Sequence, residues 1–277
     1  MSDSHGRFLW YELATTDTTA AKAFYTEAVG WGAREAIPGM SYSLFTAGEL
    51  PVSGLTDLPT EAMGVAPHWI GYVGVDDVDA ATDRTRRLGG AVHVPPTDVP
   101  RVSRFSVVAD PQMAPFALFK WQNPHQNQPS EVATAGAVGW HELFAADWEK
   151  AFAFYRELFG WQKAGAEVDP MGTYQLFSAA GQMIGGMFTK PAMVPVPFWL
   201  FYFNTGDVDA AAARVRAAGG QVLEGPVEMA GGRRVVRCTD PQGAMFALTG
   251  TQSNKQIGYF EPATSRDPSA FRLFVRR

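Results

Sequence analysis

Residues 8–33 read FLWYELATTDTTAAKAFYTEAVGWGA, and residues 138–163 read VGWHELFAADWEKAFAFYRELFGWQK. At a shift of 130 residues (140 − 10, from Trp10 to Trp140), eleven of these 26 positions are identical, including Glu12/Glu142, Phe24/Phe154, Tyr25/Tyr155, Gly30/Gly160 and Trp31/Trp161. The same shift aligns Pro67–Gly90 with Pro197–Gly220 at twelve of 24 positions, and Arg104–Leu118 with Arg234–Leu248 at eight of 15. One unit has been duplicated. Solenoid repeats run about 20–50 residues because each is a single supersecondary element stacked on its neighbours. This repeat is long enough to enclose its own core. The sequence therefore predicts a first domain over 1–121, a linker over 122–137, a second domain over 138–251 and a tail over 252–277. The linker, QNPHQNQPSEVATAGA, is polar, contains proline and lacks a hydrophobic period.

Within each half the hydrophobic period changes in order. Phe8–Ala14 reads as a strand, and Ala21, Phe24, Tyr25, Ala28 and Val29 then fall on one helix face. Asp17 is placed to accept from the free amides at the helix start, and Gly30 to end the helix in the left-handed conformation. Short strands follow at 41–46 and 50–55. Trp69–Val75 reads as a new strand, Asp77 caps a second helix closed by Gly89-Gly90, and 91–121 hold three more strand-like runs. Each half is thus two β-α-β-β-β modules, 8–58 with 67–121 and 138–190 with 197–251. Whether modules pair within a half or by exchange between halves is open at this point.

With 46% hydrophobic and 18% charged residues the chain is globular. A net charge of −5 without a basic cluster argues against nucleic acid as a partner. No signal-like start is present, and the apolar stretch around 194–203 is short and interrupted by Pro195 and Pro197, so no membrane association is expected. The single cysteine, Cys238, fits a reducing cytoplasm; its counterpart is Val108, so it reads as an apolar filler.

The module order and its motifs resemble the vicinal oxygen chelate superfamily, which includes glyoxalase I, extradiol dioxygenases and the bleomycin-resistance proteins. The marks are Ala-Phe-Tyr and Gly-Trp (23–25 and 30–31; 153–155 and 160–161), Asp-Val-Asp-Ala-Ala (77–81, 207–211), Gly-Gly (89–90, 219–220), and Asp-Pro-Gln before Phe-Ala-Leu (110–118, 240–248). The resemblance implies an α+β fold in which two modules roll an eight-stranded mixed sheet into a cup, giving two cups here. It also implies a divalent metal that holds two vicinal substrate oxygens on His, Glu or Gln. The positions that match its ligand sites are Trp10, Gly54, Ile70 and Ala117 in the first half and Trp140, Gly186, Leu200 and Ala247 in the second. None of these side chains ligates a metal; indole N–H is a donor only. The expectation is no metal of the family kind and no cofactor.

Strand alternation puts Glu12 on the same face as Trp10, and the matching position of the second module is Tyr72. Trp10, Glu12 and Tyr72, and likewise Trp140, Glu142 and Tyr202, are therefore the candidate ligand-binding residues. They suit a flat or amphipathic small molecule, a cationic one included, since a carboxylate among aromatics suits a cation. The leading reading is a metal-independent small-molecule binder comparable to the bleomycin-resistance proteins, either a monomer with two pseudo-symmetric domains or a homodimer. The alternative is a glyoxalase-type lyase, isomerase, dioxygenase or hydroxylase with Glu12 or Glu142 as general base, or with a shifted metal site on Glu12 and His68. His141 should face away from the cup, and His5, His93 and His125 are scattered. Arg104 and Arg234 are expected to pair with Asp110 and Asp240, the alternative role being to orient an anionic ligand. Trp31, Trp161, Trp69, Trp199, Phe116 and Phe246 read as core.

Overall fold

The computed structural model describes residues 2, 4–36, 42–58, 64–123, 135–169, 172–229 and 233–251. The first half runs β1 (Phe8–Thr15), α1 (Thr18–Val29), β2 (Gly32–Glu35), β3 (Tyr42–Ala47), β4 (Leu50–Asp57), β5 (His68–Gly74), α2 (Val78–Arg87), β6 (Ala91–Val99), β7 (Ser103–Ala109) and β8 (Pro115–Trp121). The second half repeats it: β9 (Val138–Ala145), α3 (Trp148–Phe159), β10 (Gln162–Asp169), β11 (Gly172–Ala179), β12 (Gln182–Thr189), β13 (Phe198–Asp207), α4 (Val208–Ala217), β14 (Gln221–Glu228), β15 (Arg234–Thr239) and β16 (Met245–Thr251). Hydrogen bonding builds one eight-stranded sheet per half, in the orders β2-β3-β4-β1-β5-β8-β7-β6 and β10-β11-β12-β9-β13-β16-β15-β14. Both are mixed. The pairs β1–β4, β5–β8, β9–β12 and β13–β16 are parallel, and the flanking pairs are antiparallel.

The helix signals read from the sequence act as expected. Asp17, Asp77, Asp147 and Asp207 all cap with the side chain accepting a backbone amide at the helix start, and Gly30 (φ 87°) and Gly160 (φ 74°) end α1 and α3 in the left-handed region. Strand β2 is an addition to the sequence reading. Its four residues are all exposed, so they carry no alternation by which to recognise them.

Side-chain packing divides the chain differently from sheet pairing. One compact unit comprises the described residues within 1–10, 70–129 and 141–199, and the other those within 11–69, 130–140 and 200–277. The first unit therefore packs the second and third modules, and the second unit packs the first and fourth. Each has a matching core. In the first, Tyr155 is fully buried, its hydroxyl accepts from Trp199 Nε1 (3.0 Å) and donates to Asp110 Oδ2 (3.1 Å), and Trp161 stacks on it at 5.0 Å. In the second, Tyr25 accepts from Trp69 Nε1 (2.8 Å), donates to Asp240 Oδ2 (3.1 Å), and has Trp31 stacked at 5.7 Å.

Asp110 Oδ1 also receives the amides of Gln112 (2.8 Å) and Ala114 (2.9 Å), and Asp240 repeats this with Gln242 and Ala244. Burial nevertheless leaves both carboxyls above their usual pKa range. The indoles that close the cores bond to glycine carbonyls with positive φ: Trp161 Nε1 to Gly6 O (2.7 Å) and Trp31 Nε1 to Gly136 O (2.9 Å). Trp31, Trp69, Trp161, Trp199, Phe116 and Phe246 are all core, as expected.

Candidate functional site

The two faces of each half-sheet are told apart by what they meet. Phe116 lies against Phe154 and Tyr155 of α3, and Phe246 against Phe24 and Tyr25 of α1. Alternation then turns Ala117 and Phe119, and likewise Ala247 and Thr249, to the opposite, inner face. On the inner face of the first unit's second module, Tyr72 is in register with Ala117, and Phe105 with Phe119. Four further aromatics gather around Tyr72. Phe119 meets it edge-on at 5.6 Å, Phe105 lies at 6.2 Å, Trp121 meets Phe119 at 4.5 Å, and Trp10 meets Trp121 at 6.2 Å. Trp10 and Tyr72 are buried. Trp121 Nε1 is buried as well, and among the described residues no acceptor reaches it.

The third module, in the same unit, places Glu142 in register with Gly186, and the carboxylate is only 1% exposed. A Cβ on Gly186 would stand 2.3–2.4 Å from the ring and hydroxyl of Tyr174, so the glycine is the space in which that ring lies. Phe188 (5.9 Å from Tyr174) and Phe144 (4.6 Å from Phe188) continue the same apolar surface.

In the second unit, Glu12 is half-buried and in register with Gly54, and Trp140 is buried. The fourth module carries a polar inner face. Tyr202 is in register with Ala247, its hydroxyl accepts from Arg237 Nε (3.2 Å), and Arg237 Nη1 donates to Glu224 Oε2 (2.5 Å). Arg237 and Glu224 are both buried, so this is a desolvated ion pair. One step along the strands, Arg233 Nη2 donates to Asn204 Oδ1 (2.9 Å) and Thr249 Oγ1 (3.1 Å), and Nε lies 3.3 Å from the same hydroxyl.

Of the candidates named from the sequence, Trp10, Tyr72 and Glu142 fall in the first unit, and Glu12, Trp140 and Tyr202 in the second. Sequence reading missed Trp121, Tyr174, Glu224, Arg233 and Arg237. The signal lay in the repeat itself: the second copy has Glu224, Arg237, Arg233, Asn204 and Tyr174 where the first has Val94, Val107, Ser103, Gly74 and Leu44. Arg104 and Arg234 do not pair with Asp110 and Asp240. Arg104 binds Asp79 (2.8 and 2.9 Å) and Asp98 (2.9 Å), and Arg234 binds Asp209. Six strand residues separate Arg104 from Asp110, roughly 20 Å, beyond a side chain's reach.

The residues present do not fit the metal that the resemblance implies. Its eight positions hold only indole, aliphatic or glycine groups. Over Gly186 the room is filled by Tyr174, and among the described residues no three His, Cys, Asp or Glu side chains cluster. His68 bonds through Nδ1 to its neighbour Ala66 O (2.9 Å). His141 lies on the helix-facing side, stacked on Phe8 at 4.1 Å, with Nδ1–H donating to Ile184 O (2.6 Å); burial pushes its pKa down to about 4. Cys238 is buried, its thiol pushed up to about 12.

A family model described as the Glyoxalase/Bleomycin resistance protein/Dioxygenase superfamily matches residues 7–118 and again 137–248. The chain is 36% identical over 244 residues to "Putative glyoxylase CFP32" of Mycobacterium tuberculosis, covering 86% of this chain and 92% of that protein. It is 31% identical over 257 residues to "Anthracycline biosynthesis protein DauV" of a Streptomyces species, covering 86% and 91%. Among solved structures, the Mn(II)-bound glyoxalase from Novosphingobium aromaticivorans superposes with a TM-score of 0.61 at 14% identity, covering 96% of this chain and 89% of the other. An extradiol ring-cleaving dioxygenase from B. fuscum gives 0.63 at 16% identity, covering 96% and 75%. At such identities these two likenesses speak for the fold alone.

Proposed function

Since the chain belongs to the Glyoxalase/Bleomycin resistance protein/Dioxygenase superfamily, we propose that it binds an amphipathic aromatic small molecule on its inner sheet faces, without the family's metal. The observation that carries this reading is the aromatic face of the second module. Trp10, Tyr72, Phe105, Phe119 and Trp121 form a connected cluster of edge-to-face and tilted rings, and the Trp121 indole N–H within it is buried with no acceptor among the described residues. Leaving such a donor unsatisfied costs about 1–3 kcal/mol, which a ligand oxygen placed there would recover. Two Streptomyces relatives named for anthracycline biosynthesis accord with an aromatic ligand.

The test has two arms. Metal content is measured by mass spectrometry after purification without chelator and exposure to Ni²⁺, Zn²⁺, Mn²⁺ and Fe²⁺. Aromatic fragments are then titrated against tryptophan fluorescence in the wild type and in Trp121→Phe. The reading expects under about a tenth of an equivalent of metal and a saturable quench that weakens in the variant. Stoichiometric metal would sink the metal-free part and turn attention to glyoxalase or dioxygenase turnover, with Glu12→Gln and Glu142→Gln as the diagnostic variants.

A further inference from the structure

The two copies of the inner face have different chemistry, and the fourth module's side is the polar one. Residues 233, 235 and 237 alternate onto the inner face, opposite Ala247 and Thr249, with Tyr202 and Asn204 alongside. Two guanidinium-bearing residues therefore stand on one face about 13 Å apart along the strand, taking four residues at roughly 3.3 Å each. Their states differ. Arg237 is ion-paired with Glu224 at 2.5 Å. Arg233 has only neutral acceptors, the Asn204 amide oxygen and the Thr249 hydroxyl, and among the described residues no carboxylate pairs with it.

A half-buried cation held by neutral acceptors has uncompensated charge, and burial lowers the pKa of Arg233 accordingly. A guanidinium offers five N–H donors in a rigid fork suited to a carboxylate. Here Nε and Nη2 are bonded, and Nη1 has no acceptor among the described residues. The first copy has Ser103 and Gly74 at the matching positions, so this arrangement is confined to the fourth module.

We infer that Arg233, oriented by Asn204 and Thr249, is a recognition site for the carboxylate of a small organic acid, so that the fourth module selects anionic ligands while the second module's aromatic face takes neutral ones. This inference rests on the reading that the inner faces bind small molecules. The carboxylate supplies the missing negative charge.

The probes are benzoate, its neutral isostere benzamide, and phenol, titrated into the full chain while the side-chain ¹⁵N–¹H resonance of Arg233 Nε is followed by NMR. Expected are a saturable shift of that resonance with benzoate, at least ten-fold weaker binding of benzamide, and loss of benzoate binding by ten-fold or more in Arg233→Ser, the first copy's residue, with phenol binding unchanged. The benzoate–benzamide comparison needs no variant and so stands even if Arg233→Ser unfolds. Equal binding of benzoate and benzamide, or benzoate binding indifferent to Arg233→Ser, with phenol still bound, overturns the carboxylate site and leaves the small-molecule reading standing. If none of the three probes binds, both fall.

Discussion

Tyr25→Phe and Tyr155→Phe each remove one oxygen atom and preserve the volume of the ring, which makes their cost readable from the hydrogen bonds alone. In each unit the lost hydroxyl accepts from a buried tryptophan (2.8 Å from Trp69, 3.0 Å from Trp199) and donates to a buried carboxylate (3.1 Å from Asp240 or Asp110). A bond to a charged acceptor contributes about 1.5–3 kcal/mol, and an indole N–H stranded in the core costs about 1–3 kcal/mol. The carboxylate keeps its two backbone amides, so the expected loss is about 2–4 kcal/mol for either variant rather than the full sum. In urea, with a slope of about 3 kcal/mol/M, the midpoint falls by roughly 1 M. The networks share no partner and match bond for bond, so the two variants should agree within about 1 kcal/mol and the double variant should be additive. Circular dichroism and tryptophan fluorescence across a urea series read this directly. A loss below about 1 kcal/mol in both, with unchanged slope, would refute the claim that these hydroxyls satisfy buried partners.

The same bonds make a statement about fragments. Tyr25 lies in the first half of the sequence and Asp240 in the second, but Asp110, the repeat equivalent of Asp240, lies in the first half too; residues 1–123 expressed alone should therefore self-associate, with Tyr25 of one copy meeting Asp110 of the other. Light scattering is expected to find a dimer, weakened at least ten-fold by Tyr25→Phe, and a stable monomeric fragment would contradict it. For His141, the folded pKa of about 4 lies below the unfolded 6.5, so the unfolded chain binds the extra proton between those values. Its contribution is complete above pH 6.5 and is lost as pH falls toward 4, by roughly 3 kcal/mol at 1.36 kcal/mol per pKa unit. Asp110 and Asp240, whose pKa values are raised, act with the opposite sign, so the measurement is the pH dependence of wild-type stability minus that of His141→Gln. Gly186→Ala should destabilise by about 1–3 kcal/mol through overlap with Tyr174, and adding Tyr174→Leu, the first copy's residue, should restore most of the loss.

Local signals were legible in the sequence because they are local. Asp17 and Gly30 bound α1 through bonds that span three or four residues, and the Phe24–Tyr25 stripe follows from one helical period. The choice of Tyr72 followed from counting two residues on from Ile70 along one strand, whereas its register with Ala117 is set by the fold. Strand β2, wholly exposed, gave no pattern to count. The partner of Arg104 was misjudged because an acidic residue near in sequence, Asp110, is far along an extended strand, whereas Asp79 on α2 comes close only through the fold. Glu224 and Arg237 are thirteen residues apart on antiparallel strands with irregular register, so no period links them. The exchange of both modules between packing units was equally invisible, since the sheet order follows the sequence and the cores do not.

The comparison between copies also bears on what the duplication preserves. On the helix-facing side the residues are held identical: Tyr25/Tyr155, Trp31/Trp161, Trp69/Trp199, Phe116/Phe246 and Asp110/Asp240 all recur. These make the hydrogen-bonded cores, where a change of one atom is expected to cost several kcal/mol. On the inner face the copies diverge in kind, from Val94 and Val107 to Glu224 and Arg237, and from Phe119 to Thr249. Burying an ion pair where a pair of valines already packs gains little stability, since desolvation offsets most of the Coulomb attraction. Packing therefore gives no reason for the polar version, and stability alone would favour valine in both copies. A difference in what each inner face must recognise does give a reason. Under the proposed reading, the aromatic face of the second module and the Arg233-bearing face of the fourth are two specificities on one duplicated frame.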